Sequence, residues 1–191
     1  MAYGDPGCFY YVGETQSGKT KKAHADLKAD ILASGRPALV LDPMPAWNFA
    51  DLKHEPTVEA VAERLWKDRT HAVYTPEFPK DVERLMKALR EVGGVHVLWD
   101  ECSFHMSWRT IGPETSKALR GWWHSKNTFR LVTQSPGDLH GDAYKVAPTV
   151  YAFRTTRVAC LDRLEAEFNF NPEHLKILPD NEFVTRPERR S

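Results

Sequence analysis

Cysteine is scarce in this chain of 191 residues: Cys8, Cys102 and Cys160 stand far apart, form no CxxC pair and are odd in number. No disulfide framework is implied, and the pattern fits reduced thiols in a cytosolic compartment. Long apolar runs are missing too. No stretch approaches the roughly 18 residues of a membrane helix, and no charged-then-apolar leader opens the sequence, so neither a span nor a secretory signal is expected. An excess of charge of one sign is also absent, since 26 Lys plus Arg balance 26 Asp plus Glu. A surface basic all over is thereby excluded, and nucleic-acid contact would have to come from local patches or from a lumen shared by several subunits. The eight histidines complete no metal-ligand set: His105 follows Cys102 by three residues and His140 lies near Asp138 and Asp142, but neither spacing suffices. Internal repeats and low-complexity segments are lacking as well.

What is present is an ordinary globular composition, 41% hydrophobic and 27% charged, in a length that fits one domain. Short apolar runs alternate with helical patterns. Strands are expected over 8–12, 38–42, 72–74, 95–99, 129–133 and 149–153, and helices over 21–32, 57–67 with Thr57 as N-cap, 81–92, 114–125 and 158–168. Residues 102–112 have no period, and 135–148, rich in Gly and Pro, read as a mobile loop. Such alternation predicts an α/β fold, a mostly parallel central sheet flanked by helices, with ligands beyond the carboxyl ends of the strands. The core domain is expected to run over 1–168, and the Pro-punctuated segment 169–191 to form an extended C-terminal arm.

Chemistry starts at Gly13-Glu14-Thr15-Gln16-Ser17-Gly18-Lys19-Thr20, a full match to the phosphate-loop pattern GxxxxGK[ST], preceded by a strand and followed by a helix. Backbone N–H groups of such a loop converge on nucleotide phosphates at the positive end of a helix. Lys19 reaches the terminal phosphates, and the Thr20 hydroxyl ligates Mg²⁺. The apolar strand Val95-His96-Val97-Leu98-Trp99 then runs into Asp100-Glu101. Asp100 is placed to hold Mg²⁺, directly or through water, and Glu101 to polarise a water for in-line attack on the γ-phosphate. At the end of a later strand, Gln134 can sense that phosphate or orient the water, because an amide donates and accepts at once.

The order of these pieces resembles the HerA/FtsK superfamily of P-loop ATPases. It is carried by the phosphate loop, a strand ending Asp42-Pro43, the Asp100-Glu101 strand end, Val132-Thr133-Gln134-Ser135-Pro136 with Asp138-Leu139, and Val150-Tyr151-Ala152-Phe153-Arg154. The resemblance covers residues 6–168. The short length is most similar to the genome-packaging ATPases of membrane-containing icosahedral double-stranded DNA viruses. It implies a RecA/FtsK-like core, ATP and Mg²⁺ as cofactors, and a homo-oligomeric ring, hexameric by expectation, that moves double-stranded DNA without reading its sequence. It also implies a portal or membrane protein of the virion as partner, and a place in the host cytoplasm or with the virion. Family members need a cationic residue from the neighbouring subunit, for which Arg120 is the first candidate, ahead of Arg109 and Arg154.

Two other readings share the phosphate loop. A nucleoside or nucleotide kinase could be of this size, although no Arg-rich lid segment is evident and a carboxylate pair suits water activation better than hydroxyl activation. A phage assembly protein could use ATP only to switch a partner surface. The chain departs from the family in Trp99, bulkier than the aliphatic residue usual before Asp-Glu, and in the cluster Trp108, Trp122 and Trp123. Packing in the core or between subunits accounts for these better than stacking on bases, which a duplex does not expose. Contact with DNA phosphates is expected from Lys and Arg on the loops 103–113 and 135–145.

Overall fold

The first strand, β1 (Gly7–Val12), is aromatic and apolar on both faces, which fits burial at the middle of a sheet rather than at an edge. The computed structural model describes residues 4–42, 53–107 and 109–186. The remaining strands are β2 (Ala38–Leu41), β3 (Lys53–His54), β4 (Ala72–Tyr74), β5 (His96–Trp99), β6 (Thr128–Thr133), β7 (Thr149–Phe153) and β8 (Phe183–Arg186). They form an eight-stranded sheet in the order β3-β4-β2-β5-β6-β1-β7-β8. Every pairing is parallel except β7 with β8. In this order β1 lies between β6 and β7, with Val12 opposite both Thr133 and Ala152. The segments after β1, β5 and β6 therefore open at the same end of the sheet, as a parallel arrangement requires.

Alternation along the strands sends side chains to two layers. Tyr10, Val12, Leu39, Leu41, Val97, Trp99, Phe129 and Leu131 enter the larger core. There they meet α2 (Val58–Ala62), α3 (Pro79–Val92), α4 (Pro113–Arg120) and α6 (Val158–Phe168). Tyr11, Val40, Leu98 and Val132 face the opposite way, onto Ala23 and Leu27 of α1 (Lys19–Ser34). Tyr11 is fully buried there, and its hydroxyl donates to Asp26 Oδ2 at 2.8 Å, which satisfies the phenol inside the core. Helix ends follow local chemistry: Thr57 Oγ1 accepts from Ala60 N–H at 3.2 Å, and α3 stops at Gly93 and Gly94, both at positive φ. Beyond α2 the chain widens into a π-helical turn over Glu63–Lys67. The start of α4 is capped from a neighbouring helix, because the Glu83 carboxylate of α3 accepts from the N–H of Glu114 at 2.8 Å and of Thr115 at 3.1 Å.

One charged side chain is buried deep in the sheet. Arg130 of β6 is 1% exposed and pairs with Asp30 of α1, itself 3% exposed. Beside them lies His96, whose Nε2 meets Ser34 Oγ at 2.7 Å. Burial, reinforced by Arg36 and Arg130, pushes the His96 imidazole down to about 3, so it is neutral and adds no charge to the pair.

Three expectations from the sequence need correction. The segment 135–148 is folded, not loose: it holds a 3-10 turn at Pro136–Asp138 and α5 (Gly141–Lys145), with Leu139 and Ala143 fully buried. An isolated antiparallel bridge joins Ser107 to Leu139, so the loop after β5 is tied to the loop after β6. The segment 169–186 is no extended arm. It forms α7 (Pro172–Ile177), buries Phe170, Leu175 and Leu178 in the larger core, and returns as β8 against β7. Finally, α4 ends at Arg120, short of the expected Ser125, and continues in turns. β3 is only two exposed polar residues long, and no sequence pattern announces it. Pro43, Trp108 and residues 187–191 lie outside the described residues. All three cysteines are free and buried, and no helix among the described residues is long and apolar enough to cross a membrane.

Candidate active site

Sterics shape the loop between β1 and α1. At Gly13 an added Cβ would come within 2.6 Å of Phe153 Cβ, so only glycine lets the chain turn against β7. Gly18 has φ +100, in the left-handed region, and hands over directly to α1. That helix has no side-chain cap and no acidic residue in its first turn, which leaves its N–H groups and positive end open to an anion. Inside the loop, Ser17 Oγ is fully buried with no hydrogen-bond partner among the described residues. A donor of that kind is costly unless a ligand completes it, and phosphate oxygens have the matching chemistry.

Side chains from three loops converge here. Thr20 Oγ1 donates to Asp100 Oδ1 at 3.3 Å. Lys19, 5% exposed, holds its Nζ 3.6 Å from Glu101 Oε1. Gln134 Nε2 donates to the same Glu101 oxygen at 3.1 Å, and Thr15 Oγ1 donates to Gln134 Oε1 at 3.1 Å. A relay thus runs from the phosphate loop through Gln134 to Glu101 and back to Lys19. Glu101 itself has φ +41, a left-handed conformation unusual for a residue with a side chain and the kind of local strain that functional sites retain.

Asp100 is 6% exposed, and its Oδ1 also accepts from the Glu101 N–H at 3.1 Å. Burial first, and then the negative charge of Glu101, lift its carboxyl from 3.8 to about 6, against the smaller downward pull of Lys19. A carboxylate under that pressure gains from a cation. The Thr20 hydroxyl and Asp100 fit Mg²⁺, which commonly takes one or two protein oxygens and completes its shell with water and phosphate. No cluster of three or more His, Cys, Asp or Glu among the described residues offers a metal cage.

Of the residues singled out from sequence, Lys19, Thr20, Asp100, Glu101 and Gln134 are brought together. Arg120 is exposed and pairs with Asp142 of α5 at 2.6 Å, apart from this constellation. Arg154 is tied within its own chain: Nε meets Glu14 Oε1 at 2.7 Å and a terminal nitrogen meets Asp180 Oδ1 at 2.9 Å. Sequence reasoning missed Arg157, which lines a hollow of about 300 Å³ with Glu14, Thr15 and Gln134. It also missed Asn181, whose N–H donates to Ser17 O at 2.9 Å. Neither belongs to a motif; only the return of the C-terminal segment to the sheet reveals Asn181. A hollow of similar size, lined by His54, Glu55, Tyr74, Glu77 and Asp81, shares no residue with the constellation. Trp99 is fully buried and Trp122 packs on the larger core, in line with a packing role, while Trp123 is 58% exposed.

The sequence matches no protein-family model and no curated protein. Solved structures do match. The genome packaging NTPase B204 from Sulfolobus turreted icosahedral virus 2, in complex with ATP-gammaS, aligns over 97% of this chain and 92% of its own, with a TM-score of 0.79 at 20% identity. B204 from Sulfolobus turreted icosahedral virus, a DNA-packaging ATPase, aligns over 97% and 93% with a TM-score of 0.77 at 19% identity. The pCW3 conjugation coupling protein TcpA with ATP-gammaS aligns over 98% of this chain and 59% of its own, with a TM-score of 0.67 at 15% identity. The phosphate loop between β1 and α1, the Asp100-Glu101 pair after β5 and this likeness over nearly the whole chain together establish a P-loop NTPase fold of the kind seen in these packaging and coupling proteins.

Proposed function

We propose that this chain is an ATP-hydrolysing subunit of a double-stranded DNA translocase, a viral genome-packaging motor. The observation that carries the hydrolase half is the relay joining Thr15, Gln134, Glu101 and Lys19 beside the Thr20–Asp100 pair. The packaging half is supported by the shared fold with B204 and TcpA.

Glu101 is engaged by Lys19 and Gln134. The triphosphate of ATP draws Lys19 onto its oxygens and leaves Glu101 as an acceptor oriented by Gln134. Glu101 then takes a proton from water as that oxygen attacks the γ-phosphorus, and the bond from phosphorus to the β–γ bridging oxygen breaks to give ADP and phosphate. Mg²⁺, when bound at Thr20 and Asp100, supplies positive charge against the phosphate oxygens. The subunits assemble as a ring, a hexamer in our reading, in which Arg120 of one copy serves the site of the next; its exposed place on α4 is compatible with that role. DNA phosphates meet the loops after β5 and β6, which the Ser107–Leu139 bridge holds side by side. A portal or membrane protein of the virion completes the machine, in the host cytoplasm or on the particle.

ATP turnover with and without double-stranded DNA, measured beside Glu101→Gln, tests the proposal. Stimulation by DNA that disappears in the variant supports it. Turnover that requires an added nucleoside or nucleotide acceptor would replace it with a kinase, and ATP binding without turnover would replace it with a switch.

A further inference from the structure

Between α7 and β8 the chain crosses the phosphate loop. Asn181 donates its N–H to Ser17 O at 2.9 Å, and its Cα lies so close to Gly18 that a Cβ there would fall 2.7 Å away. Gly18 is thus needed as much for this crossing as for phosphate. One residue earlier, Asp180 meets Arg154 at 2.9 Å, and Arg154 holds Glu14 at 2.7 Å. The crossing segment therefore grips both ends of the loop, at Ser17-Gly18 directly and at Glu14 through an arginine. Two residues later it is anchored by Phe183, whose ring lies 5.4 Å from the rings of both Tyr151 and Phe153. Lys22 of α1 extends its Nζ over the Tyr151 and Phe183 rings at 5.0 and 5.3 Å.

The sheet order says which part of a nucleotide this segment faces. Glu101 and Gln134 follow β5 and β6, on one side of β1, and the terminal phosphate belongs with them. The nucleoside end of the same ligand then leaves the loop on the other side, toward β7 and β8, where the segment lies. Asn181 is exposed there at φ +67, a left-handed conformation that asparagine adopts more readily than most residues. Its amide both donates and accepts, which suits a ribose hydroxyl or a base edge.

We propose that residues 178–183 form the nucleoside wall of the site and that Asn181 contacts the nucleoside. This rests on the reading of the loop as an ATP site. Asn181→Gly tests it, because glycine keeps the left-handed backbone and removes only the amide. Calorimetric titrations with ATP, ADP and inorganic tripolyphosphate, each with Mg²⁺, are compared for the unaltered chain and the variant. The expected result is a loss of about 3- to 10-fold for ATP and ADP, the size of one hydrogen bond, with tripolyphosphate unchanged. Equal losses for ATP and tripolyphosphate would overturn it, since the segment would then only shape the loop. Unchanged ATP affinity in a variant with an unshifted thermal midpoint would also overturn it while leaving the ATP site intact. If the unaltered chain bound neither ATP nor tripolyphosphate, the ATP reading itself would fall and take this inference with it.

Discussion

Replacing Asp100 by asparagine is expected to stabilise the metal-free protein at neutral pH, although it removes a proposed Mg²⁺ ligand. The Asp100 carboxylate is buried beside Glu101, and its carboxyl is lifted from 3.8 to about 6. The folded state therefore holds that proton more tightly than the unfolded chain. The stability this brings is fully present below about pH 4 and is lost as pH rises through about 6, where the folded protein must carry the buried charge. A displacement from 3.8 to about 6 corresponds to a cost on the order of 3 kcal/mol at pH 7.5. The Asp100→Asn side chain would keep an oxygen to accept from Thr20 and from the Glu101 N–H while losing the charge. In a chain of this length the gain translates to roughly 6–12 °C in melting temperature. Scanning calorimetry in chelator from pH 4 to 8 should show the two proteins converging at pH 4 and the variant ahead at pH 7.5. Mg²⁺ with a non-hydrolysable ATP analogue should then raise the melting temperature of the unaltered protein and leave the variant nearly where it was. A variant less stable at pH 7.5, or an advantage that persists undiminished at pH 4, would refute the reasoning.

Asp30→Ala leaves the Arg130 guanidinium charged and buried, so urea denaturation should show a loss of about 3–5 kcal/mol, most of it regained when Arg130→Met is added. Glu83→Ala removes the acceptor that caps α4; a loss of about 1–2 kcal/mol is expected, with faster amide exchange at Glu114 and Thr115. Gln134→Ala frees Glu101 from its orienting donor and should lower kcat about 10²-fold with little change in the KM for ATP, as read in steady-state hydrolysis.

Much of the site could be read from sequence because its chemistry depends on residue type at short spacing. A phosphate loop needs Gly13, Gly18, Lys19 and Thr20 within eight residues, and a strand end such as Trp99-Asp100-Glu101 is visible as an apolar run meeting carboxylates. Gln134 was legible for the same reason. The elements that escaped are those fixed by partners far along the chain. β8 is short and Pro-flanked, and it becomes a strand because β7 offers an open edge for Val184 and Phe183 to pair with Ala152 and Phe153. Arg130 reads as an interruption in a core strand, and its counter-charge comes from Asp30, one hundred residues earlier. The segment 135–148 carries Gly and Pro at loop frequency, yet burial of Leu139 and Ala143 orders it. Asn181 and Arg154 grip the phosphate loop through tertiary contacts that no local pattern announces.

The place of β1 in the sheet bears on how the protein folds. Gly7 pairs with Thr128 and Phe9 with Thr149, so the strand that launches the phosphate loop has both neighbours more than a hundred residues downstream. Closing loops of that span is slow compared with forming the more local β2–β4 pairing. On a ribosome the phosphate loop therefore emerges more than a hundred residues before the strands that seat it. Until β6 and β7 arrive, its glycines and lysine have no scaffold to aim them, and binding of a nucleotide reports that the centre of the sheet has closed.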